Sequence, residues 1–145
     1  MRNGIFSVSE KLSTILLIIL GLLPASRGVY WITNSEIAIN DSPLYMKLDS
    51  LAPLFVWGIP LLIGGILLIL SSVFIVTPKT RNYYYIFLAI GGFLCGIFSI
   101  IIATASVENN LNWMTPVHNT CLSIGFFTIT WIGTSSLWNR NHKKN

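Results

Sequence analysis

The amino-acid sequence predicts an all-α, integral membrane protein: a four-helix transmembrane bundle with a short interfacial helix in the first outer loop. Of its 145 residues, 53% are hydrophobic, and the mean hydropathy is +0.69. Only 10% are charged, whereas an average soluble domain carries about 25% charged residues. Four separate stretches contain the roughly 20 apolar residues that a helix needs to cross a bilayer core. This composition excludes a water-soluble monomer, a disordered charged tail and a nucleic-acid-binding module.

The four apolar stretches divide the chain into spans and short connections within a single membrane domain, residues 1–145. Only helices and closed barrels satisfy every backbone polar group in lipid, and stretches of this length fit helices. The predicted transmembrane helices cover about residues 12–32, 53–76, 84–106 and 116–138, with an outer loop at 33–52 and a cytoplasmic tail at 139–145.

The first span has two interpretations, because its uninterrupted apolar run ends near Pro24 and Arg27 follows. Residues 12–23 resemble the apolar core of a signal peptide. However, no small-x-small pattern marks a good cleavage site after this core, and residues 29–32 continue the apolar face beyond Arg27. We therefore expect an uncleaved transmembrane helix.

The first outer loop contains a helix-start signal. Ser42 is a suitable cap for a helix whose first position is a proline. Apolar residues then recur at helical spacing, with charged residues on the wetter side: Leu44, Leu48 and Leu51 against Lys47 and Asp49. This pattern predicts a short helix at the membrane surface. It either caps the bundle or, over residues 36–51, offers a docking surface to a partner.

The distribution of charge predicts the orientation, since short cytoplasmic loops carry an excess of Lys and Arg. Seven basic residues lie on the side of the termini and the second loop, namely Arg2, Lys11, Lys79, Arg81, Arg140, Lys143 and Lys144. The opposite side holds two basic residues and four of the five acidic ones, namely Arg27, Lys47, Glu36, Asp41, Asp49 and Glu108. We therefore expect a multi-pass protein of the plasma membrane with its N- and C-termini in the cytoplasm.

Small residues mark the faces through which the spans are expected to pack, because lipid supplies no hydrophobic drive between helices. The third span carries Gly92 and Gly96 four residues apart, and the second span carries Gly64 and Gly65. These residues are candidates either for packing within one chain or for homo-oligomerisation, the latter through the Gly92/Gly96 face. The sequence leaves both interpretations open.

Ionisable residues in or near a membrane are functional candidates. Arg27 would either extend to lipid phosphates or pair with Glu36, Asp41 or Glu108. His118, near the start of the fourth span, would either bond to a loop carbonyl or contact a ligand. Together with Glu36, Asp41 and Lys47 of the outer loop, these two are the predicted outer-face contact residues.

The sequence contains no recognisable set of catalytic residues. It has no Ser-His-acid set, Gly-rich phosphate loop or pair of carboxylates, and its two cysteines and two histidines lie at different depths. Cys95 and Cys121 differ in depth by about 9 Å at 1.5 Å per residue, which is too far for a disulfide. We therefore expect no catalytic activity, no cofactor and no metal.

Several short motifs carry a resemblance to a known group of proteins. The run Ser42-Pro43-Leu44-Tyr45, then Leu51-Ala52-Pro53 and Trp57-Gly58, leads into an apolar helix, and a basic inner loop, a Gly-rich third helix and Thr115-Pro116 before the fourth follow. Over about residues 12–138, this order resembles uncharacterised small four-span membrane proteins of tailed phages and prophages. Arg27 and the acidic residues of the outer loop match nothing in that family. The family has no agreed activity, but phage membrane proteins of this size are typically holins or lysis accessories, superinfection-exclusion factors or partners of virion components.

By elimination, we expect a non-enzymatic polytopic membrane protein that acts through protein–protein interaction in the bilayer. The resemblance implies that it is a phage or prophage accessory protein. One alternative is a holin-like protein that forms membrane lesions by oligomerising. Another is a small transporter or lipid-handling protein that uses His118 and Arg27. The expected partners are membrane lipids and either an unknown protein or a second copy of the chain, with no nucleic acid.

Overall fold

The computed structural model describes residues 8–75, 80–109 and 112–142, and these residues fold as an up-down-up-down helical bundle. The helices are α1 (Val8–Thr33), α2 (Ser35–Asp41), α3 (Pro43–Leu51), α4 (Leu54–Phe74), α5 (Arg81–Asn109) and α6 (Met114–His142). Four are long, and the short α2 and α3 connect α1 to α4. This architecture confirms the predicted all-α bundle with a helix in the first loop.

Each of the four long helices is long and apolar enough to cross a membrane. α1 is a single helix that contains Pro24, so the residues on both sides of this proline belong to one span. α5 and α6 have 29 residues each, or about 43 Å at 1.5 Å per residue, and they exceed a hydrocarbon core of about 30 Å. The predicted end of the second span, Val76, lies outside the described residues, as do four of the basic residues used for the orientation: Arg2, Lys79, Lys143 and Lys144.

The four long helices pack in chain order. α1 packs against α4, α4 against α5, and α5 against α6, each pair antiparallel. The two helices at the ends of this order, α1 and α6, share far less contact. The bundle therefore has a lateral opening between α1 and α6, which we term the seam.

Glycines bring α1 and α4 into backbone contact at two levels. A Cβ added at Gly65 would lie 2.5 Å from the carbonyl oxygen of Gly21 and 2.8 Å from the Cβ of Ala25. A Cβ added at Gly28 would lie 2.6 Å from the carbonyl oxygen of Gly58. Real Cβ atoms essentially never approach so closely. The contact therefore requires glycine at these positions. Three of them, Gly21, Gly28 and Gly58, were not predicted from the sequence as packing residues.

The other predicted glycines also face helices of the same chain. A Cβ added at Gly64 would lie 2.7 Å from the Sγ of Cys95 on α5. Gly92 and Gly96 face α6, and the Ser123 hydroxyl of α6 donates a hydrogen bond to the Gly96 carbonyl oxygen at 3.0 Å. The Gly92/Gly96 face is thus covered by α6, and a second chain could reach it only if α5 and α6 separated.

α2 and α3 form a cap that packs onto the bundle. The Ser42 side chain accepts a hydrogen bond from the Leu44 N–H at 3.3 Å, so α3 begins where the sequence predicts. Leu44 and Leu48 are buried in one cluster with Trp31 of α1, whereas Leu51 is exposed. We term this end of the bundle the cap end and the opposite one the terminal end.

Two polar contacts that the sequence analysis did not predict attach the cap to α4. Asp49 Oδ1 accepts a hydrogen bond from the Leu54 N–H, the first residue of α4, at 2.8 Å. The Trp57 Nε1–H donates to the Ala52 carbonyl oxygen at 2.9 Å. These bonds satisfy backbone groups that a helix N-terminus and a chain reversal leave open, and they fix the cap on the bundle.

Candidate functional site

The candidate site lies towards the cap end, where Arg27 of α1 contacts Asn119 of α6. Arg27 Nη1 donates a hydrogen bond to Asn119 Oδ1 at 2.9 Å. Asn119 is only 1% exposed, and its Nδ2 donates to the Thr115 carbonyl oxygen at 2.9 Å. Since both ends of the Asn119 amide are engaged, this side chain has a defined orientation and holds the Arg27 guanidinium across the seam.

The positive charge of Arg27 has no acidic partner within the described part of the chain. Asp41 instead accepts a hydrogen bond from the Tyr30 hydroxyl at 2.6 Å, Glu36 is exposed on α2, and Glu108 lines a groove beside α3. A guanidinium has five N–H donors, and the bond to the amide oxygen uses one of them. The remaining donors and the full charge are free to meet an oxyanion.

A small cavity of about 50 Å³ lies beside Arg27, between the four long helices. Its polar lining comes from Arg27, Ser99 and His118, and its apolar lining from Leu23, Pro24, Leu61, Leu122 and Phe126. Ser99 of α5 is only 4% exposed, and its hydroxyl has no hydrogen-bond partner among the described residues. Since one water needs about 10–15 Å³, the cavity holds a few waters or the polar atoms of a ligand. We term Arg27, Ser99, His118 and Asn119 the polar site.

Towards the terminal end, the seam continues as an apolar cleft of about 270 Å³. Its lining comes from α1, α5 and α6: Ser13, Leu16, Leu17, Leu20, Tyr84, Leu88, Ile129 and Ile132. Leu20 precedes Arg27 by seven residues on α1, and Ile129 follows Leu122 by seven on α6. Residues seven apart share one face of a helix. The cavity and the cleft therefore lie one above the other along the same seam.

The predicted outer-face residues do not form one site. Arg27 and His118 share the polar site, with His118 exposed at its edge. Lys47 lines a separate groove of about 360 Å³ between α3 and α5. Glu36 and Asp41 are exposed residues of α2 and line neither of these. Of the five predicted contact residues, only Arg27 and His118 thus lie together in one site.

Two members of the polar site, Ser99 and Asn119, were not among the predicted contact residues. An amide in an apolar span is a usable signal, since polar groups in membrane helices face the interior of a bundle or an aqueous cavity. Asn119 could have been selected on that ground. For Ser99, no sequence signal separates a serine that packs between helices from one that lines a cavity.

The seam offers hydrogen-bond donors, one positive charge and an apolar wall. No group of three or more His, Cys, Asp or Glu side chains that could hold a metal is found in the described ranges. Cys95 is buried, Cys121 is exposed, and both thiols are free. Comparisons of the chain with protein-family models, with curated proteins and with solved structures find no match.

Proposed function

We propose that this polytopic membrane protein is non-enzymatic and binds one membrane lipid laterally, in the seam between α1 and α6. The observation that carries the proposal is an uncompensated Arg27 towards the cap end with an apolar cleft directly below it. A ligand that matches both parts has a polar head and an apolar chain. Lipid handling is one of the alternatives that the sequence raises.

The depth of the cleft below Arg27 suits the acyl chain of one lipid. Leu17, a buried residue of the cleft, precedes Arg27 by ten residues, which is about 15 Å along the helix axis. That distance is half of a hydrocarbon core of about 30 Å, the thickness that the chains of one leaflet fill. A lipid with its head at Arg27 would therefore lay its chain along the cleft as far as Leu17, past the centre of the span predicted at residues 12–32. With the orientation expected from the charge distribution, the head of this lipid lies in the outer half of the membrane.

One of the two surfaces expected to bind proteins is covered within the chain, since Gly92 and Gly96 face α6. A holin-like oligomer that forms through this face therefore has less support than a lipid. The outer surface of α2 and α3 stays exposed, with Glu36 and Lys47 among its exposed residues, but it lies outside both the polar site and the cleft.

The phage or prophage setting and the absence of catalytic activity stay predictions from the sequence. Genes beside this one bear directly on the setting. A neighbouring endolysin, tail protein or repressor gene would support it and would separate lysis, virion and exclusion roles.

Lipid retention through purification tests the proposed function. The full chain is extracted from membranes in a mild detergent, and the phospholipids bound per chain are counted by native mass spectrometry. The test variant is Ile132→Trp, which fills the cleft from α6. The matched control is Ile124→Trp, on the same helix but outside the cleft. These isoleucines are 47% and 63% exposed, so neither substitution enters the buried core.

The wild-type chain and Ile124→Trp are expected to retain one phospholipid per chain. Ile132→Trp is expected to bind it about tenfold more weakly, which corresponds to a loss of about 1.4 kcal/mol in binding free energy. Equal retention by the two tryptophan variants, or no retained lipid in the wild type, would contradict the proposed function.

A further inference from the structure

We infer that the polar site selects an anionic phospholipid, one whose headgroup carries the negative phosphate and no cation. This inference rests on the lipid-binding function proposed above and adds which lipid the seam takes. It depends on the charge of Arg27, on the unpartnered hydroxyl of Ser99, and on the position of both at one cavity.

Charge complementarity selects the net charge of the headgroup. Arg27 has no carboxylate partner in the ranges that the structure describes, so a single phosphate charge neutralises it. A zwitterionic headgroup such as phosphatidylcholine brings a second cation to the same place. None of the residues that line the cavity is acidic, so that cation meets no countercharge. The site therefore favours an anionic headgroup over a zwitterionic one.

The donors of the polar site match the oxygens of a phosphate. A guanidinium binds phosphate oxygens in a bidentate arrangement, with charge-assisted hydrogen bonds. Ser99, which is 4% exposed, lines the same cavity from α5 and carries a hydroxyl without a hydrogen-bond partner among the described residues. His118 supplies an imidazole from α6 at the edge of the cavity. The polar site thus offers donors from three helices to the anionic oxygens of one headgroup.

Asn119 is a positioning residue in this site. It contacts Arg27 through Oδ1, while its Nδ2 is bonded to the Thr115 carbonyl oxygen. Because one nitrogen of the guanidinium is already held, less side-chain freedom is lost when a phosphate binds. The buried amide thus keeps Arg27 turned to the seam and prevents it from extending to phosphates at the membrane surface.

Lys47 provides a matched control at the same end of the bundle. It is an exposed cation of α3 in a separate groove that Glu108 also lines. A general attraction between anionic lipid and basic residues would depend on Lys47 as much as on Arg27. Recognition by the polar site depends on the charge of Arg27 and not on that of Lys47.

Competition between two lipids tests the inference. The full chain is reconstituted into vesicles of equal parts phosphatidylglycerol and phosphatidylcholine and extracted in a mild detergent, and its bound lipids are identified by mass spectrometry. Arg27→Gln removes the charge but keeps an amide that can donate to Asn119. Lys47→Gln removes the same charge elsewhere, and Ser99→Ala removes one hydroxyl. Circular dichroism confirms that each variant is folded.

We expect the wild type and Lys47→Gln to prefer phosphatidylglycerol by about tenfold, or about 1.4 kcal/mol, because only the choline cation of phosphatidylcholine lies unfavourably beside Arg27. Arg27→Gln should retain a lipid without a preference between the two. Ser99→Ala should lower the retention of phosphatidylglycerol by about tenfold, the share of one hydrogen bond to a charged oxygen.

Equal retention of the two lipids by the wild type would overturn the inference. So would the same loss of preference in Lys47→Gln and Arg27→Gln. In either case, if Ile132→Trp still reduces lipid retention, the lateral lipid site proposed above remains supported. A wild type without any bound lipid would contradict both proposals. If Arg27→Gln does not fold, the Ser99→Ala variant tests the inference instead. Unchanged retention of phosphatidylglycerol by Ser99→Ala would overturn the role of the polar site.

Discussion

Replacement of Gly65 by alanine should push α4 away from α1 and destabilise the bundle. The added Cβ would lie 2.5 Å from the carbonyl oxygen of Gly21 and 2.8 Å from both the N and the Cβ of Ala25. These atoms belong to the backbone of α1 or are bonded directly to it. No side chain can rotate out of the way, so the two helices themselves must separate.

The expected loss is about 2 kcal/mol in the free energy of unfolding. An extra methyl group in a well-packed interior costs roughly 1–3 kcal/mol. The gain in helix propensity from glycine to alanine offsets about 1 kcal/mol at most. Because separation at Gly65 also opens the second close contact, between Gly28 and Gly58, the steric cost lies at the upper end of that range.

Gly125→Ala is the matched control, because nothing lies within 4 Å of a Cβ added there. Both variants gain the same methyl group and the same helix propensity, so the difference between them measures the α1–α4 contact. Unfolding of the full chain in detergent would be followed by circular dichroism. Gly125→Ala should be as stable as the wild type or more stable. A Gly65→Ala variant as stable as this control would refute the close packing of α1 on α4.

Three further predictions concern the interface of α5 with α6, the start of α4 and the orientation. Gly92→Leu should lower the free energy of unfolding by about 3 kcal/mol, since a Cβ there already lies 2.9 Å from the Phe126 carbonyl oxygen. A changed oligomeric state in light scattering, without loss of stability, would instead indicate a face between chains. Asp49→Ala should cost about 1 kcal/mol in thermal unfolding, because Asp49 accepts the Leu54 N–H at 2.8 Å, whereas Ser50→Ala should have little effect. Reporter fusions at the C-terminus should report the cytoplasm and those between α2 and α3 the outside, and the reverse result would contradict the charge-based orientation.

The spans and the start of α3 could be predicted because local chemistry determines them. Apolar length selects a membrane helix, and Ser42 before a proline selects a helix start. The pairing of the long helices could not be predicted, because a small residue permits the close approach of another helix without specifying which helix that is. Gly64 and Gly65 show this, because consecutive residues of a helix point about 100° apart and these two face α5 and α1 respectively.

The hydrogen-bond partner of Arg27 could not be predicted from the sequence either. Three acidic residues of the expected outer side were equally available to it, yet its hydrogen bond goes to Asn119. That choice depends on the depth and rotation of α6 relative to α1. Both are set indirectly, through the successive contacts of α1 with α4, α4 with α5 and α5 with α6. The periodicity of apolar residues within one helix does not specify the depth or rotation of another helix that it contacts only through two others.

Photocrosslinking with a lipid tests the central claim most directly. Phosphatidylglycerol with a diazirine on its acyl chain would be added to membranes that contain the full chain and activated by light, and the adducts mapped on peptides by mass spectrometry. We expect adducts concentrated along the seam, near Leu16 and Leu20 of α1 and near Ile129 and Ile132 of α6. Adducts spread evenly over the exposed apolar surface, including Ile63 of α4, would contradict a lateral lipid site between α1 and α6.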